Sequence, residues 1–270
     1  MDTRQRIITT TALFLMLWGS QSLLAQDVKL EYKFKVGDVD RYKETTLNNM
    51  TSDMIPGGQK VSSEMYVTQK VDKVNPDGSA ELLRTIDSVV TMMNDQPMPS
   101  QQVKPLIGIP LRVTIQKNGK VLDVKPVNAA TDEALNKMID AMQKQLMVQP
   151  GFPSRALKMK ETWKDSSKIS QETPMGTMVT DMKTTTTLIG FDKILGYDVA
   201  VLKVSVEVAG ELGVGMGYIN GTGRGNSFFS DVAGKEIRSF VDMEQNMDLS
   251  TPQGSTTVNM KISQKKEIIK

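Results

Sequence analysis

From Val28 onward, apolar and polar residues alternate, with Leu30, Tyr32, Phe34 and Val36 interleaved with Lys29, Glu31, Lys33 and Lys35. A period of two is that of an extended strand with one buried face, so the spacing predicts a strand over 28–36. Thr-, Val- and Met-rich segments of similar character follow. They are separated by turn signals at Pro56-Gly57-Gly58, Asn75-Pro76-Asp77-Gly78, Asn118-Gly119, Asn220-Gly221 and Pro252-Gln253-Gly254. Turns this closely spaced predict hairpins, hence antiparallel pairing. The remaining strands are predicted near 40–54, 60–74, 79–93, 110–117, 120–125, 161–173, 176–190, 197–209, 211–218, 222–231, 235–249 and 255–268.

One segment departs from this pattern. Leu135, Met138, Ile139, Met142, Leu146 and Met147 recur at helical spacing, which predicts one amphipathic helix over 131–148. Thr131 is placed to cap its start, Asp132 and Glu133 suit its positive end, and Pro150-Gly151 stops it. Its apolar stripe needs a partner, and in a β protein that partner is the inner face of a sheet.

Similar features recur on either side of the helix. Tyr42, Ala80 and Gly119 have counterparts in Trp163, Ala200 and Gly234 at nearly constant separation, a pattern that fits an internal duplication. The expected organisation is a signal peptide over 1–25, an N-terminal β unit over 26–127, a helix and connector over 128–158, and a C-terminal β unit over 159–270. The two units are also compatible with a single domain. The fold class expected is mainly β, with antiparallel, strongly curved sheets or paired half-barrels crossed by one helix.

The N-terminus sets the destination. Arg4 and Arg6 precede an apolar run from Thr11 to Trp18, and Ser22-Leu23-Leu24-Ala25 forms a cleavage region, the order of a secretory signal. The mature chain is expected to begin at Gln26. Because that position is not cysteine, lipid attachment there is excluded, and no later stretch approaches the length of a transmembrane helix. The expected location is periplasmic or extracellular. Loss of Arg4, Arg6 and Asp2 lowers the formal net charge from +2 to +1, and the remaining basic residues are interspersed with acids, so there is no footprint for nucleic acid.

Tyr32-x-Phe34-x-x-Gly37-Asp38, the turn Asn75-Pro76-Asp77-Gly78-Ser79-Ala80, and Phe152-Pro153 leading to Lys160-Glu161-Thr162-Trp163 together resemble a family of exported bacterial β-rich proteins known only as a domain of unknown function. The resemblance covers most of the mature chain and implies bacterial export and a β-rich fold. It implies no catalytic or binding residues, and this chain lacks the lipidated cysteine seen in many such relatives.

The chain contains neither histidine nor cysteine. That removes His-based triads, thiol chemistry and the usual zinc, haem and iron–sulfur ligands. Ser263-Gln264-Lys265-Lys266 spells S-x-x-K without its companion motifs. Acidic residues alternate with basic ones on predicted strand faces, with no acid pair in an apolar setting. No enzymatic activity, cofactor or metal is expected.

Of 19 methionines, all but Met1 and Met16 follow the signal peptide. Thioethers are soft ligands, and Met175, Met178 and Met182 would be the group to hold Cu(I). Methionine is also adaptable core filler, and that is the favoured reading.

Gly213, Gly215 and Gly217, then Gly221, Gly223 and Gly225, recur at period two about Asn220-Gly221. A hairpin turning there would present a face without side chains. Close packing under the helix, a sharp bend in a curled sheet, or a smooth floor for a ligand or partner chain would each use such a face. With Met138 and Met142 of the helix, these glycines are the candidate ligand-binding residues. The function expected is that of a non-catalytic exported envelope protein binding a hydrophobic small molecule or lipid, by analogy with helix-covered half-barrels that carry lipids. The alternative is a structural or interaction module that meets an envelope protein through exposed sheet edges or an apolar patch.

Overall fold

The computed structural model describes residues 27–53, 55–98, 107–128, 133–173, 176–213, 215–251 and 254–269. The expected signal peptide over 1–25, Thr131, Asp132, Met175 and Pro252-Gln253 lie outside the described residues. In chain order the elements are β1 (Val39–Ser52), β2 (Ile55–Val74), β3 (Ala80–Met93), β4 (Gln96–Pro97), β5 (Pro110–Ile115), β6 (Val121–Pro126), α1 (Glu133–Met147), β7 (Thr162–Thr173), β8 (Gly176–Ile194), β9 (Tyr197–Leu212), β10 (Gly217–Ser230), β11 (Lys235–Thr251) and β12 (Gly254–Ile269).

All the strands join one curved sheet in the order β6-β5-β3-β2-β1-β12-β11-β10-β9-β8-β7, with β4 added to β3. The fold is therefore mainly β with a single helix among the described residues, as the periodicity predicts. Consecutive strands pair and the last strand pairs with the first, as in an up-and-down barrel. Apart from β4, which is added to β3, the pairing missing from that pattern is β6 with β7, so the sheet stays open.

The reason lies in strand direction. Every neighbouring pair along the path is antiparallel, and an eleven-strand path leaves β6 and β7 pointing the same way. Parallel strands need a long crossover instead of a tight turn. Helix α1 supplies it, running back between the two edges so that β7 starts at the same end as β6.

The inner face is filled at one end only. At that end α1 lays Leu135, Ile139, Met142 and Leu146 on Val71, Leu82, Val113, Val121 and Val124 of the N-terminal strands. Beside it, Val28, Leu30 and Leu157 pack on Leu188, Leu202 and Phe229 of the C-terminal strands. An aromatic group locks the two segments together: Tyr32 stacks on Phe152 at 6.0 Å, and Phe229 meets both rings edge-on at 5.0 and 4.8 Å.

Val28, Leu30, Tyr32 and Phe34 are thus buried or half-buried while Val36 is exposed, and residues 28–36 do not form a sheet strand. The segment crosses the closed end inside the sheet, bonded to Leu157 through Val28, to Lys117 through Tyr32 and to Gly234 through Lys33. Two turn assignments also change. Asn220-Gly221 lies within β10, and the β9–β10 connection falls at residues 213–216, where Gly213 and Gly215 take φ of 54° and 72°. Pro56-Gly57-Gly58 lies within β2, just after the β1–β2 connection.

Candidate functional site

Beyond the filled end, β1, β2 and β7–β12 continue for several residues, and their inner face becomes a trough. The register fixes which side chains share it. One row runs Gln59, Met50, Met260, Gln245, Gly221, Val208, Met182 and Ser167. Towards the closed end the next reads Val61, Asn48, Ile262, Met243, Gly223, Val206, Thr184 and Asp165. Towards the open end another holds Val258, Met247, Ile219, Gly210, Thr180 and Ile169.

Burial agrees with the register. On β12, Val258, Met260 and Ile262 are half-buried while Asn259, Lys261 and Ser263 between them are exposed. On β11, Val241, Met243 and Met247 alternate in the same way with exposed Asp242, Glu244 and Asp248. Methionine thus gathers on one concave surface: Met50, Met65, Met93, Met178, Met182, Met243, Met247 and Met260 all face it and all are half-buried. Flexible, polarizable thioethers suit a surface that must adapt its shape to an apolar partner.

The candidate glycines do not line this trough as one hairpin. Gly213 and Gly215 sit in the β9–β10 turn, while Gly217, Gly221, Gly223 and Gly225 lie along the inner face of β10. There the adjoining strand comes too close for any side chain. A Cβ at Gly221 would stand 2.6 Å from Gln245 Cγ and 2.7 Å from Glu244 O, and one at Gly225 would collide with Phe240 O. The glycines therefore permit tight curling of β10 against β11, and Met243 and Gln245 fill the space above them. Helix α1 packs elsewhere: Met142 joins the N-terminal core and Met138 is half-buried on the helix.

At the junction between filled end and trough the inner wall turns polar. Arg84 Nη2 donates to Glu44 Oε2 at 2.8 Å, Lys266 Nζ lies 3.1 Å from Glu236 Oε2, and Lys235 Nζ lies 2.6 Å from Asp40 Oδ1. Lys266 also stands 4.5 Å above the Tyr42 ring, a cation–π contact. A cavity of ≈ 60 Å³ lies here, lined by Tyr42, Gln69, Arg84, Lys235 and Lys266 among others.

Burial alone would push the Glu44 carboxyl up, but Arg84 and Lys266 outweigh it and hold the group below its ordinary 4.5, so it stays ionised. Burial raises the phenols of Tyr32 and Tyr42, which stay neutral. Arg84 is 7% exposed, and its Nε has no partner. Asn48 Oδ1 and Thr256 Oγ1, both on inner-face rows, are likewise buried without partners.

No periodicity marks Arg84, Glu44, Lys266 and Glu236 as a group, because they come from four strands brought together only by the β1–β12 pairing. Their alternation in phase with buried neighbours is the signal that was available. Among the described residues no group of acidic side chains converges as a metal site.

These features define a mainly β protein built as an incomplete antiparallel barrel with a helix in its open seam. No family model and no curated protein matches the chain. Among solved structures, lipovitellin, described for its lipid–protein interactions, is similar over 88% of this chain at 13% identity and a TM-score of 0.42. This chain spans only 25% of the lipovitellin chain.

The hypothetical lipoprotein YmcC of Escherichia coli K12 is similar over 92% of this chain and 95% of its own, at 10% identity and a TM-score of 0.29. A Bacteroides fragilis NCTC 9343 protein with a YmcC-like fold is similar over 90% of this chain and 100% of its own, at 9% identity and a TM-score of 0.28. Identities and TM-scores this low transfer no function to this chain.

Proposed function

We propose that this protein is a non-catalytic, exported envelope protein that holds a hydrophobic, lipid-like ligand on its methionine-rich concave face. One observation carries the reading. The inner rows of the trough stay rich in methionine, valine and isoleucine, buried or half-buried, where no helix or segment among the described residues covers them. In a protein with no ligand to accommodate, the same strands would favour polar residues on both faces, or a core filled as at the other end. The trough is also poor in charge: in the three rows described, Asp165 alone is ionisable, and it accepts a hydrogen bond from the Gly151 N–H at 3.0 Å.

The test uses the neutral fluorescent probe N-phenyl-1-naphthylamine. The protein is expected to bind it, and Met260→Asp to abolish binding while Asn259→Asp, one residue along on the outer face, leaves it unchanged. Equal behaviour of the two variants, or no binding by the unmodified protein, contradicts the reading.

A second reading, an interaction module, has its own observation. Val36, Val39 and Val232 near the closed end are 60%, 51% and 73% exposed, and an envelope partner docking there would cover them. Cross-linking at Val232 separates this reading from the first, because it predicts a captured envelope protein whether or not the trough is occupied.

A further inference from the structure

The charged belt at the base of the trough bears on which kind of amphiphile the trough accepts. Resting on the reading just proposed, we infer that the ligand is an uncharged acyl ester, with its carbonyl oxygen at Arg84, and not a free fatty acid. The argument is one of charge balance and unused hydrogen-bonding capacity.

Each inner-wall cation at the belt already faces a carboxylate: Arg84 has Glu44, Lys266 has Glu236 and Lys235 has Asp40. Glu44 remains ionised because Arg84 and Lys266 outweigh the effect of its burial. The belt is therefore neutral as it stands. The two other charges lining the cavity, Lys33 and Asp38, are exposed and opposite in sign, so a ligand carboxylate entering the belt would bring a buried negative charge with no buried counter-charge to meet it, and the low local polarity makes such a charge unfavourable.

What remains unused is a neutral interaction. Arg84 Nε–H is a buried donor without an acceptor, on a side chain more than nine-tenths buried that lines the ≈ 60 Å³ cavity. Buried donors are nearly always paired, so one left open at the foot of an apolar trough points to an acceptor supplied from outside. A carbonyl oxygen meets that need without adding charge. Glu44, which holds Arg84, and Lys266 stand opposite each other on β1 and β12. Thr46, Asn48 and Met50 follow on β1, with Gln264, Ile262 and Met260 on β12. An ester group at Arg84 therefore directs its acyl chain onto the methionine rows.

The experiment compares two ligands with the same chain, 1-oleoylglycerol and oleate, by calorimetric titration of the full mature protein at pH 8. We expect the ester to bind at least about tenfold more tightly than the acid. Glu44→Gln should move the preference about tenfold towards oleate, because Arg84 then lacks its carboxylate and the ligand's takes its place. Should that variant not fold, the double variant Arg84→Met with Glu44→Gln keeps the belt neutral and removes the open donor. It should weaken 1-oleoylglycerol several-fold and leave oleate unchanged.

Equal affinities for the two ligands, tighter binding of oleate by the unmodified protein, or an unaltered preference in these variants overturns the inference while leaving the trough as a hydrophobic site. If neither ligand binds, the inference and the function proposed above fail together.

Discussion

The two ends of the same strands differ in what lies on them. At the closed end the inner face carries Leu188, Leu202, Phe229 and Leu82, and helix α1, residues 27–38 and the 150–160 connector cover it. At the open end the alternation continues without interruption, and the inner residues are half-buried methionines beside buried Val206, Val208, Thr180 and Thr184, with no covering segment among the described residues. Alternation therefore determines which face points inward. Whether that face is filled depends on where the rest of the chain goes, and here the chain spends its helix and N-terminal segment on one end.

The sharpest way to break this comparison is to truncate one inner residue at each end. Phe229→Ala removes a fully buried ring that meets Tyr32 and Phe152 edge-on and should cost about 3–5 kcal/mol in urea denaturation. Met260→Ala, in the trough, should cost about 1 kcal/mol or less, since its site is already open to solvent. Similar losses at both positions would mean that the open end is a core like the other.

A smaller effect is expected where the sheet curls. Gly225→Ala sets a methyl group against Phe240 O, and Gly221→Ala sets one against Gln245, each an overpacking of about 1–3 kcal/mol. Stability unchanged in both variants would show that β10 and β11 are not held as closely as described, and would return these glycines to the role of a ligand floor.

The belt between the two ends should respond to acid. The Glu44 carboxyl is held below 4.5 in the folded protein. Its contribution is complete above the ordinary value of 4.5 that it takes when unfolded and is lost as pH falls through the lower folded value. Urea midpoints measured from pH 6 down to pH 3 should therefore drop more steeply for the unmodified protein than for the double variant Arg84→Met with Glu44→Gln. Parallel curves would remove Glu44 from the account.

Much of this fold was legible in the chain. The β periodicity, the hairpins and helix α1 follow from spacing alone, and the helix begins and ends within two residues of its expected bounds. Residues 28–36 show the limit of such reading, because a buried extended segment inside a sheet alternates just as a strand within it does. Asn220-Gly221 shows another. Asn-Gly is a strong hairpin signal, but here Gly221 is required by the approach of β11, a contact between strands that no local pattern reveals.

The open seam was beyond reach for a third reason. It follows from the parity of the strand path, which depends on β12 pairing with β1 across the length of the chain. The trough and its belt inherit that difficulty, since Met50 meets Met260 and Glu44 meets Lys266 only through that pairing.

Native mass spectrometry of the protein released gently from its own envelope tests the central claim most directly. The account predicts one neutral acyl lipid per chain, displaced by 1-oleoylglycerol and lost in Met260→Asp. A protein that carries no lipid and takes up none when 1-oleoylglycerol is added would contradict it.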